Sequence, residues 1–404
     1  MIKQETSVKA LYIHIPFCDQ ICSYCDFPKV ASQGQDTDAY LTALIAELAI
    51  YEKIIGFTEL QTVYIGGGTP TALTTTQLAR LFTYLHSVIN FSQLTEVSIE
   101  ANPENLKNKE KIAYLKKYGV TRISIGVQTF QNKLLQILQR SHTKKEIYEV
   151  ITLLSKEDFE LNLDMIYGIP TQTLNDWEAD LNSLLKLPIT HISAYSLILE
   201  EHTKFYIDYK KKKLSLVDNE IEAQMFELLI NKLTAAGFEH YEISNFTMSN
   251  RSNHNMIYWQ NEFYIGVGLG AHGYLPRTSK TEINILIDNI AQEINNINSF
   301  RYENTRSITT YKKTLETKQL PVLNSHALTR DEQIEESMFL GMRLLDGVDL
   351  SYLQAKYNVN IYELYQPQLD KLKGLGYVSL DSGVLKLTQK GLLMANEVFA
   401  AFLL

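Results

Sequence analysis

The chain has 404 residues, of which 45% are hydrophobic and 21% charged, a globular composition that excludes a disordered or collagen-like chain. Its formal net charge of −8 argues against a general nucleic-acid binder. No apolar run approaches the roughly 20 residues of a membrane span, and the first stretch, MIKQETSVKA, lacks the apolar core of a signal peptide. We therefore expect a cytoplasmic protein that binds no nucleic acid and makes at most peripheral contact with a membrane.

Short runs rich in Val, Ile and Tyr recur along the first half of the chain, with amphipathic segments between them. Strands are predicted to begin at Ala10, Thr62, Glu96, Arg122, Leu161 and His191. Helical spacing of apolar residues predicts helices over residues 37–55, 75–89, 105–118, 144–154 and 174–187. This alternation indicates βαβ units around a parallel sheet, an α/β fold. Six units are too few for a complete eightfold barrel, which leaves a partial (β/α)6 barrel or an open doubly wound sheet.

Polar and glycine residues follow several of these strands. Gly66 to Thr69, Glu100, Gln128 and Asp164 all stand at or near predicted strand ends. Each of them alone could be a turn or a helix cap. Because chemistry in parallel sheets lies at the carboxyl ends of the strands, their joint placement predicts one site at that edge.

The sequence changes character after about Ile243. Residues 243–261 are polar and predict a loop. The run from Gly266 to Ala271 has no clear dinucleotide-binding unit around it, so we expect close backbone packing there. Earlier in the chain, the run from Lys210 to Lys213 is interpreted as a solvated helix end or loop.

The C-terminal part is predicted to be mainly helical. Helices are expected over residues 331–345, 350–357 and 361–373, then a small hairpin around 381–383 and a last helix from residue 392. The layout is winged-helix-like, and because it is not basic we interpret it as a structural cover rather than a DNA reader. The predicted division is a barrel over 1–245, a linking region over 246–325 and a C-terminal helical domain over 326–404.

All three cysteines of the chain fall within eight residues, as Cys18, Cys22 and Cys25. An odd, crowded set in a reducing cytosol makes a poor disulfide framework. A structural zinc takes four ligands, and the only nearby candidate is His14, whose direction is set by a strand. A [4Fe–4S] cluster normally takes four thiolates. Three thiolates would leave one iron open to chelate the amino and carboxylate groups of S-adenosylmethionine (SAM).

The spacing Cys18-x3-Cys22-x2-Cys25 after a first strand resembles the radical SAM superfamily, and Tyr24 fits the aromatic usually found there. A closer resemblance is to the branch that contains oxygen-independent coproporphyrinogen III oxidase and the heme chaperone HemW. It runs through YIHIPFC, GGGTPT, SIEANPE, RISIGVQ, LDMIYGIP and EESMFLGMRL. It implies a partial (β/α)6 radical SAM barrel, a cluster on the three cysteines and an electron donor for that cluster. The SAM contacts that it implies are Tyr12, Gly67, Gly68, Thr69, Glu100, Gln128, Arg140 and Asp164.

Other roles for three of these residues stay open at this point. Glu100 could cap the following helix, Arg140 could form a surface ion pair, and Asp164 could be a turn residue at a strand end. In the implied roles, the carboxylates would meet ribose hydroxyls or the ammonium group of SAM, and the arginine would meet a carboxylate.

Two features separate the branches of the family. The oxidases carry a further cysteine two residues beyond the third, where this chain has Phe27, and they tend to have a longer N-terminal extension. The run from His254 to Trp259 resembles the HNxxYW motif of HemW-like proteins. That resemblance implies heme, with His254 as a ligand of its iron and Tyr258 and Trp259 against the porphyrin. The alternative for this motif is a loop anchored by buried aromatic side chains, with the histidine hydrogen-bonded.

The sequence therefore favours a HemW-type heme chaperone that passes heme to acceptor proteins, among them respiratory enzymes. One alternative is SAM-dependent oxidative decarboxylation of coproporphyrinogen III to protoporphyrinogen IX. A second is a radical SAM enzyme with another substrate.

Overall fold

One twelve-stranded sheet runs through the computed structural model, which describes residues 7–277 and 299–403. The strands are β1 (Ala10–Ile15), β2 (Phe17–Cys18), β3 (Val30–Ala31), β4 (Thr62–Gly67), β5 (Glu96–Ala101), β6 (Arg122–Gln128), β7 (Glu160–Tyr167), β8 (His191–Ser196), β9 (Glu239–Glu242), β10 (Asn245–Thr247), β11 (Tyr264–Val267), β12 (His272–Pro276), β13 (Ser299–Asn304), β14 (Val322–Leu328), β15 (Val348–Asp349), β16 (Val378–Asp381) and β17 (Val384–Leu387).

Helices lie between the strands and after them. They are α1 (Thr37–Ile54), α2 (Thr75–Val88), α3 (Lys109–Lys117), α4 (Asn132–Ile137), α5 (Lys144–Leu154), α6 (Leu174–Leu184), α7 (Lys204–Lys210), α8 (Asn219–Ala235), α9 (Asn253–Trp259), α10 (Ile308–Glu316), α11 (Arg330–Gly341), α12 (Leu350–Tyr357), α13 (Ile361–Leu364), α14 (Gln366–Gly374), α15 (Gln389–Leu393) and α16 (Ala395–Ala400).

The six predicted strands are neighbours in the sheet. Strands β1, β4, β5, β6, β7 and β8 pair in that order and all run parallel, which confirms the predicted α/β fold. Strand β11 adds a seventh parallel strand beside β1. Antiparallel strands extend both edges, and β14 and β9 end the sheet within the described ranges. The six predicted strands follow one another in chain order, which is the order of a partial barrel, whereas a doubly wound sheet reverses its strand order partway.

Local capping fixes where the barrel helices begin. Helices α2, α5 and α6 each start with a capping box, in which Thr74, Thr143 and Thr173 accept from the backbone three residues later. Helix α3 starts later than predicted, at Lys109, because a proline-led 3₁₀ turn over Pro103–Leu106 comes first. The predicted helices are otherwise confirmed to within a few residues of their ends.

The loop predicted over residues 243–261 is wrong, because this segment contains β10 and helix α9. The side chain of Ser252 caps α9 by accepting from the Asn255 N–H, and the Glu96 carboxylate accepts from the Asn253 N–H at 2.6 Å. A seven-residue helix is too short to show helical periodicity. Part of its N-terminal cap also comes from a residue 157 positions earlier in the chain, which no local pattern reveals.

The glycine-rich run beyond α9 packs backbone against backbone, as predicted. A Cβ atom on Gly266 would lie 1.8 Å from the carbonyl oxygen of His272. Gly268 has φ +104°, and a Cβ atom there would lie 2.5 Å from the carbonyl oxygen of His14. Only glycine permits this approach between β11 and its neighbours.

The C-terminal part is helical, and the predicted hairpin is formed by β16 and β17; β15 adds a third strand that was not predicted. The helix predicted over residues 361–373 is two helices, because Pro367, in the first turn of α14, has no N–H to donate to the carbonyl of Glu363. This part has its own buried apolar cluster, built around Ile334, Met338, Tyr365 and Phe402. The domain boundaries at 245 and 325 stay a prediction. None of the described helices is long and apolar enough to span a bilayer.

A buried carboxyl group joins the first helix to the edge of the sheet. Glu47 of α1 is fully buried and accepts from the Gly268 N–H at 2.8 Å, from Asn304 Nδ2 at 2.6 Å and from the Tyr311 hydroxyl. Burial raises the pKa of Glu47 from 4.5 to about 7, although these donors oppose the shift.

Replacing Glu47 by Gln should remove part of the pH dependence of stability. The folded state holds this proton to a higher pH than the unfolded state, so the Glu47 contribution to stability falls as pH rises from 4.5 to about 7. Over that pH range, the parent should lose about 3 kcal/mol of unfolding free energy that the Glu47→Gln variant does not lose. Urea unfolding at several pH values measures it. Exposed Glu52 on the same helix supplies the control, Glu52→Gln, and equal pH profiles for both variants would contradict the assignment.

Candidate active site

The cysteine loop is clamped where it leaves and rejoins the barrel. Strand β2 pairs in parallel with β3, so that Cys18 lies opposite Ala31 and closes the loop between them. The N–H groups of Gly68 and Thr69 donate to the carbonyls of Ile15 and Phe17, both at 2.8 Å. These bonds fix the loop against the turn that follows β4.

One cavity of about 350 Å³ opens at the cysteine loop and runs down the barrel interior to Arg122, Ser252 and Asn255. Eleven of the residues predicted from the sequence line it: Cys18, Cys22, Cys25, Tyr24, Gly67, Gly68, Thr69, Glu100, Gln128, Arg140 and Asp164. The parallel strands therefore bring the predicted residues to one place.

The glycines after β4 are required by their neighbours. A Cβ atom on Gly68 would lie 2.8 Å from both Cys18 Sγ and the carbonyl oxygen of Phe17. Gly67 has φ +116°, and a Cβ atom there would lie 2.5 Å from the ring of His14. Both ring nitrogens of His14 already have hydrogen-bonding partners within the protein: one lies 2.9 Å from the Tyr12 hydroxyl and the other 2.7 Å from the carbonyl oxygen of Pro28.

Two carboxyl groups, those of Glu100 and Asp164, line the cavity and are close enough to affect each other electrostatically. Glu100 accepts from the Gly67 N–H at 2.8 Å and from the Tyr64 hydroxyl at 2.9 Å, and it does not cap the 3₁₀ turn that follows β5. Burial, with the nearby charge of Asp164, raises the pKa of Glu100 to about 7. Asp164 accepts from Ser124 Oγ at 2.9 Å and from Asn162 Nδ2 at 2.7 Å, and burial raises its pKa as well. Both are positioned to accept further hydrogen bonds from a bound ligand.

Arg140 is held inside the site and does not form a surface ion pair. Its Nη1 lies 3.4 Å from Cys22 Sγ, and its Nη2 donates to Asn102 Oδ1 at 2.6 Å and to the carbonyl of Gly126 at 2.7 Å. Asn102 also donates to Thr69 Oγ1 at 3.0 Å. The guanidinium is always charged, so this wall of the cavity is suited to a carboxylate or to an anionic cluster.

Gln128 occupies a strained position at the end of β6. Its φ is +67°, in the left-handed region that non-glycine residues rarely adopt, and the register with β7 shifts beside it. The strain turns a buried amide side chain into the cavity, and such strain is concentrated at functional sites.

Helix α9, which carries the HNxxYW motif, lies at the amino ends of the strands, opposite the cysteine loop. His254 Nδ1 lies 2.7 Å from the hydroxyl of Thr62, the first residue of β4, and Nε2 lies 2.8 Å from the Tyr258 hydroxyl. Burial lowers the pKa of His254 to about 3. The Trp259 ring packs instead against the guanidinium of Arg343 at 4.4 Å. Asn255 is the residue of this motif that lines the cavity.

An aromatic series fills the space between the two ends. The ring of Tyr12 lies 6.1 Å from that of Tyr64, which lies 5.0 Å from that of His254. The cavity lining, as far as the structure describes the chain, does not include Tyr12, His254, Tyr258 or Trp259, and their predicted cofactor roles stay predictions. Several residues that line the cavity were not predicted from the sequence: Tyr64, Asn102, Arg122, Asn162 and Ser193. Of these, Asn102 lies within the motif SIEANPE and could have been found there.

The cysteines fit a cluster better than a single ion. Among the described residues, no three His, Cys, Asp or Glu side chains meet where they could bind one metal ion. A [4Fe–4S] cluster makes a different demand, because each thiolate binds its own iron. Three free thiols around one cavity, beside a buried arginine that offsets negative charge, satisfy that demand.

Comparisons with known proteins agree with this geometry. Residues 12–184 match the radical SAM superfamily, and residues 328–394 match the HemN C-terminal domain. The chain is 39% identical to the heme chaperone HemW of Bacillus subtilis, covering 98% of this chain and 99% of that one. It is 38% identical to HemW of Lactococcus lactis, covering 97% of each. Coproporphyrinogen III oxidase (HemN) of Escherichia coli has a similar fold, with a TM-score of 0.80 at 20% identity over 99% of this chain and 91% of that one.

Replacing Gly68 by Ala should remove most of the iron that the chain can bind, because the added methyl group would displace Cys18 Sγ or the Phe17 carbonyl. Iron content and the visible absorbance after anaerobic reconstitution measure the effect. The control is Gly374→Ala in helix α14, where a Cβ atom meets nothing within 4 Å. Equal iron in both variants would contradict the packing argument.

Proposed function

The chain belongs to the radical SAM superfamily and, within it, to the HemW family, and on that premise we propose that it is a cytoplasmic heme chaperone. It binds a [4Fe–4S] cluster, SAM and heme, and it passes heme to acceptor proteins. The observation that carries the proposal is identity over nearly the full length of two proteins named heme chaperones. Phe27, where the oxidase-like branch has a further cysteine, supports the same choice.

The cavity supplies the groups that a cluster and SAM need. Cys18, Cys22 and Cys25 would hold the cluster, which when bound supplies an open iron and an electron for cleaving a C–S bond of SAM. Glu100 and Asp164 accept hydrogen bonds from hydroxyl or ammonium groups, and the bare backbone of the glycine turn admits the methionine part. Arg140 and Gln128 supply donors to a carboxylate and to a hydroxyl. Tyr24 lies beside them in the cavity wall.

Anaerobically reconstituted protein should bind about four irons per chain, as a [4Fe–4S] cluster requires. Replacing Cys18, Cys22 or Cys25 singly by Ala should abolish the cluster, because each thiolate is the protein ligand of one iron. Iron and sulfide analysis with electron paramagnetic resonance of the reduced protein measures it. A cluster that survives all three replacements would overturn the radical SAM assignment of this loop.

Heme binding is the finer part of the proposal. For His254 to bind the heme iron, its ring must give up the hydrogen bond to Thr62 or to Tyr258, and helix α9 must shift from the amino end of the barrel. Tyr258 and Trp259 would then be free to contact the porphyrin. Burial lowers the pKa of His254 to about 3 and so favours the neutral imidazole, which is the form that coordinates iron.

Heme titration of the parent should give a Soret band. His254→Ala, which loses one ligand of the heme iron, should bind heme with an affinity at least about tenfold lower. Tyr258→Phe keeps the aromatic ring but frees His254 Nε2. It should therefore bind heme at least as tightly as the parent. If His254→Ala binds heme unchanged, the ligand lies elsewhere, and if Tyr258→Phe alone weakens binding, the histidine has only a structural role.

The second candidate is oxidation of coproporphyrinogen III, which the match to the HemN C-terminal domain favours. Formation of protoporphyrinogen IX from coproporphyrinogen III, with SAM and a reductant, would establish this activity in place of the chaperone role. Measuring heme transfer from the same preparation to an apoprotein distinguishes the chaperone role from the oxidase activity.

A further inference from the structure

The deep end of the cavity, opposite the cysteine loop, is lined by residues that the proposed function does not use. We name this end the cavity floor and define it by Arg122, Ser252 and Asn255. Arg122 is the first residue of β6, and alternate residues of that strand line the cavity: Arg122, Ser124, Gly126 and Gln128. Because Gln128 is at the carboxyl end of the strand, where the cysteines lie, Arg122 lies at the other end of the barrel.

Arg122 is buried without hydrogen bonds to its charged group. The residue is 3% exposed, and its Nη1 has no hydrogen-bonding partner. In the described part of the chain, its guanidinium group donates no hydrogen bond at all. Arg140, which also lines the cavity, lies within hydrogen-bonding distance of three acceptors. Unpaired donors of a buried charged group are costly, so the floor is suited to a ligand that accepts from Arg122.

The acidic side chains close to Arg122 already accept from other donors. Glu160 Oε2 lies 3.9 Å from Arg122 Nη1, which is too long for a hydrogen bond, and Glu160 Oε1 accepts from Asn250 Nδ2 at 2.7 Å. Asp164 is near enough for the charge of Arg122 to act on it, but it accepts from a hydroxyl and an amide group of the barrel. Neither acid therefore satisfies the donors of the guanidinium group.

Asn255 of the HNxxYW motif adds an amide group to the floor. Its side chain forms no hydrogen bond within the described ranges, although it lines the cavity. Its backbone N–H is paired with Ser252 Oγ, which holds the first turn of α9 in place. The preceding residue, His254, uses both ring nitrogens within the protein. The floor thus combines a guanidinium group and an amide group that the protein itself leaves without partners.

We propose that the cavity floor binds the carboxylate of a ligand, with Arg122 as the paired donor and Asn255 as a further donor. The planar guanidinium group matches the two oxygens of a carboxylate. One guanidinium group with Glu160 and Asp164 nearby balances a single negative charge, which favours a carboxylate over a doubly charged phosphate.

This carboxylate belongs to a second molecule and not to SAM. In the proposed function, the carboxylate of SAM is expected at Arg140, which lies beside Cys22 at the cluster end. The inference goes beyond the proposed function, because that function places no ligand group at the floor. A carboxylate on a short aliphatic arm is present both in heme, as its propionates, and in free aliphatic acids.

Fluorine NMR with trifluoropropionate as the probe tests the floor in the cluster-loaded full chain. The parent should broaden the probe signal in a saturable way, and propionate should reverse the broadening, whereas neutral trifluoropropanol should not bind. Arg122→Met should weaken binding of the probe at least about tenfold, because a paired, charged hydrogen bond is lost. Asn255→Ala should weaken it about threefold, because one neutral donor is lost.

Two matched variants separate ligand binding from loss of charge and from ion pairing. Arg80→Met removes an exposed arginine of α2 and should keep the parent affinity to within about twofold. Glu160→Gln keeps Arg122 and removes an acid beside it, so it should bind the probe at least as tightly as the parent. Unchanged binding in Arg122→Met, an equal loss in Arg80→Met, or no binding by the parent would overturn the proposal.

Urea unfolding and iron content of each variant report whether the cavity is intact. If Arg122→Met lowers the midpoint of unfolding, Asn255→Ala decides the question, because the Asn255 amide has no partner in the described chain whose loss would destabilise the fold. Probe binding that is unchanged in Asn255→Ala would then contradict the proposal.

Heme and its dimethyl ester distinguish the two sources of the carboxylate, and this arm rests on the proposed function. If a heme propionate occupies the floor, Arg122→Met should lower the affinity for heme about tenfold and leave that for the ester unchanged. If a free acid occupies the floor, Arg122→Met should bind heme as the parent does. A chain that binds no heme would overturn the proposed function, whereas binding of trifluoropropionate would still support the floor site.

Discussion

Parallel pairing of six strands is the constraint on which the site depends. Because β1 and β4 to β8 run in one direction, their carboxyl ends meet at one edge of the sheet, and everything that follows those ends is brought together. The approach is close enough that the turn after β4 touches the cysteine loop. Gly68 is needed there because any Cβ atom would meet Cys18 Sγ at 2.8 Å. The cysteine loop and the glycine turn therefore form one packed unit rather than two motifs that happen to be near each other.

The two ends of the barrel are joined by buried polar groups. Asp164 at the cavity accepts from Asn162, whose amide oxygen lies 2.6 Å from His191 Nδ1. The other nitrogen of His191 lies 2.8 Å from the Tyr241 hydroxyl, and that hydroxyl accepts from the backbone N–H of Ser252, the cap of α9. Buried groups that satisfy one another in this way hold a single arrangement, because breaking one bond leaves a costly unpaired partner. The cavity and the helix at its far end are thus linked by one chain of buried hydrogen bonds.

Much of the site could be predicted because its residues are close in sequence or follow strands. The three cysteines, the glycine turn, Glu100 and Asp164 were all within reach of pattern and resemblance, and all line the cavity. Other residues act across large separations. Glu47 bonds to Asn304, 257 positions later, and Glu96 caps a helix 157 positions later. A side chain whose partners come together only after distant strands have paired produces no periodic or local pattern in the sequence.

The amino-acid sequence by itself determined the alternation of strands and helices, the family, and the set of three thiols in one short loop. These follow from spacing along the chain, which is present before folding. Tertiary structure decided where the HNxxYW motif lies and what Arg140 does. The motif forms a helix because Glu96 and Thr62 hold it at the amino ends of the strands. Arg140 turns inward because Asn102 Oδ1 and the carbonyl of Gly126 accept hydrogen bonds from its guanidinium group. In both cases the deciding partner is distant in the chain, and burial makes leaving either group unpaired costly.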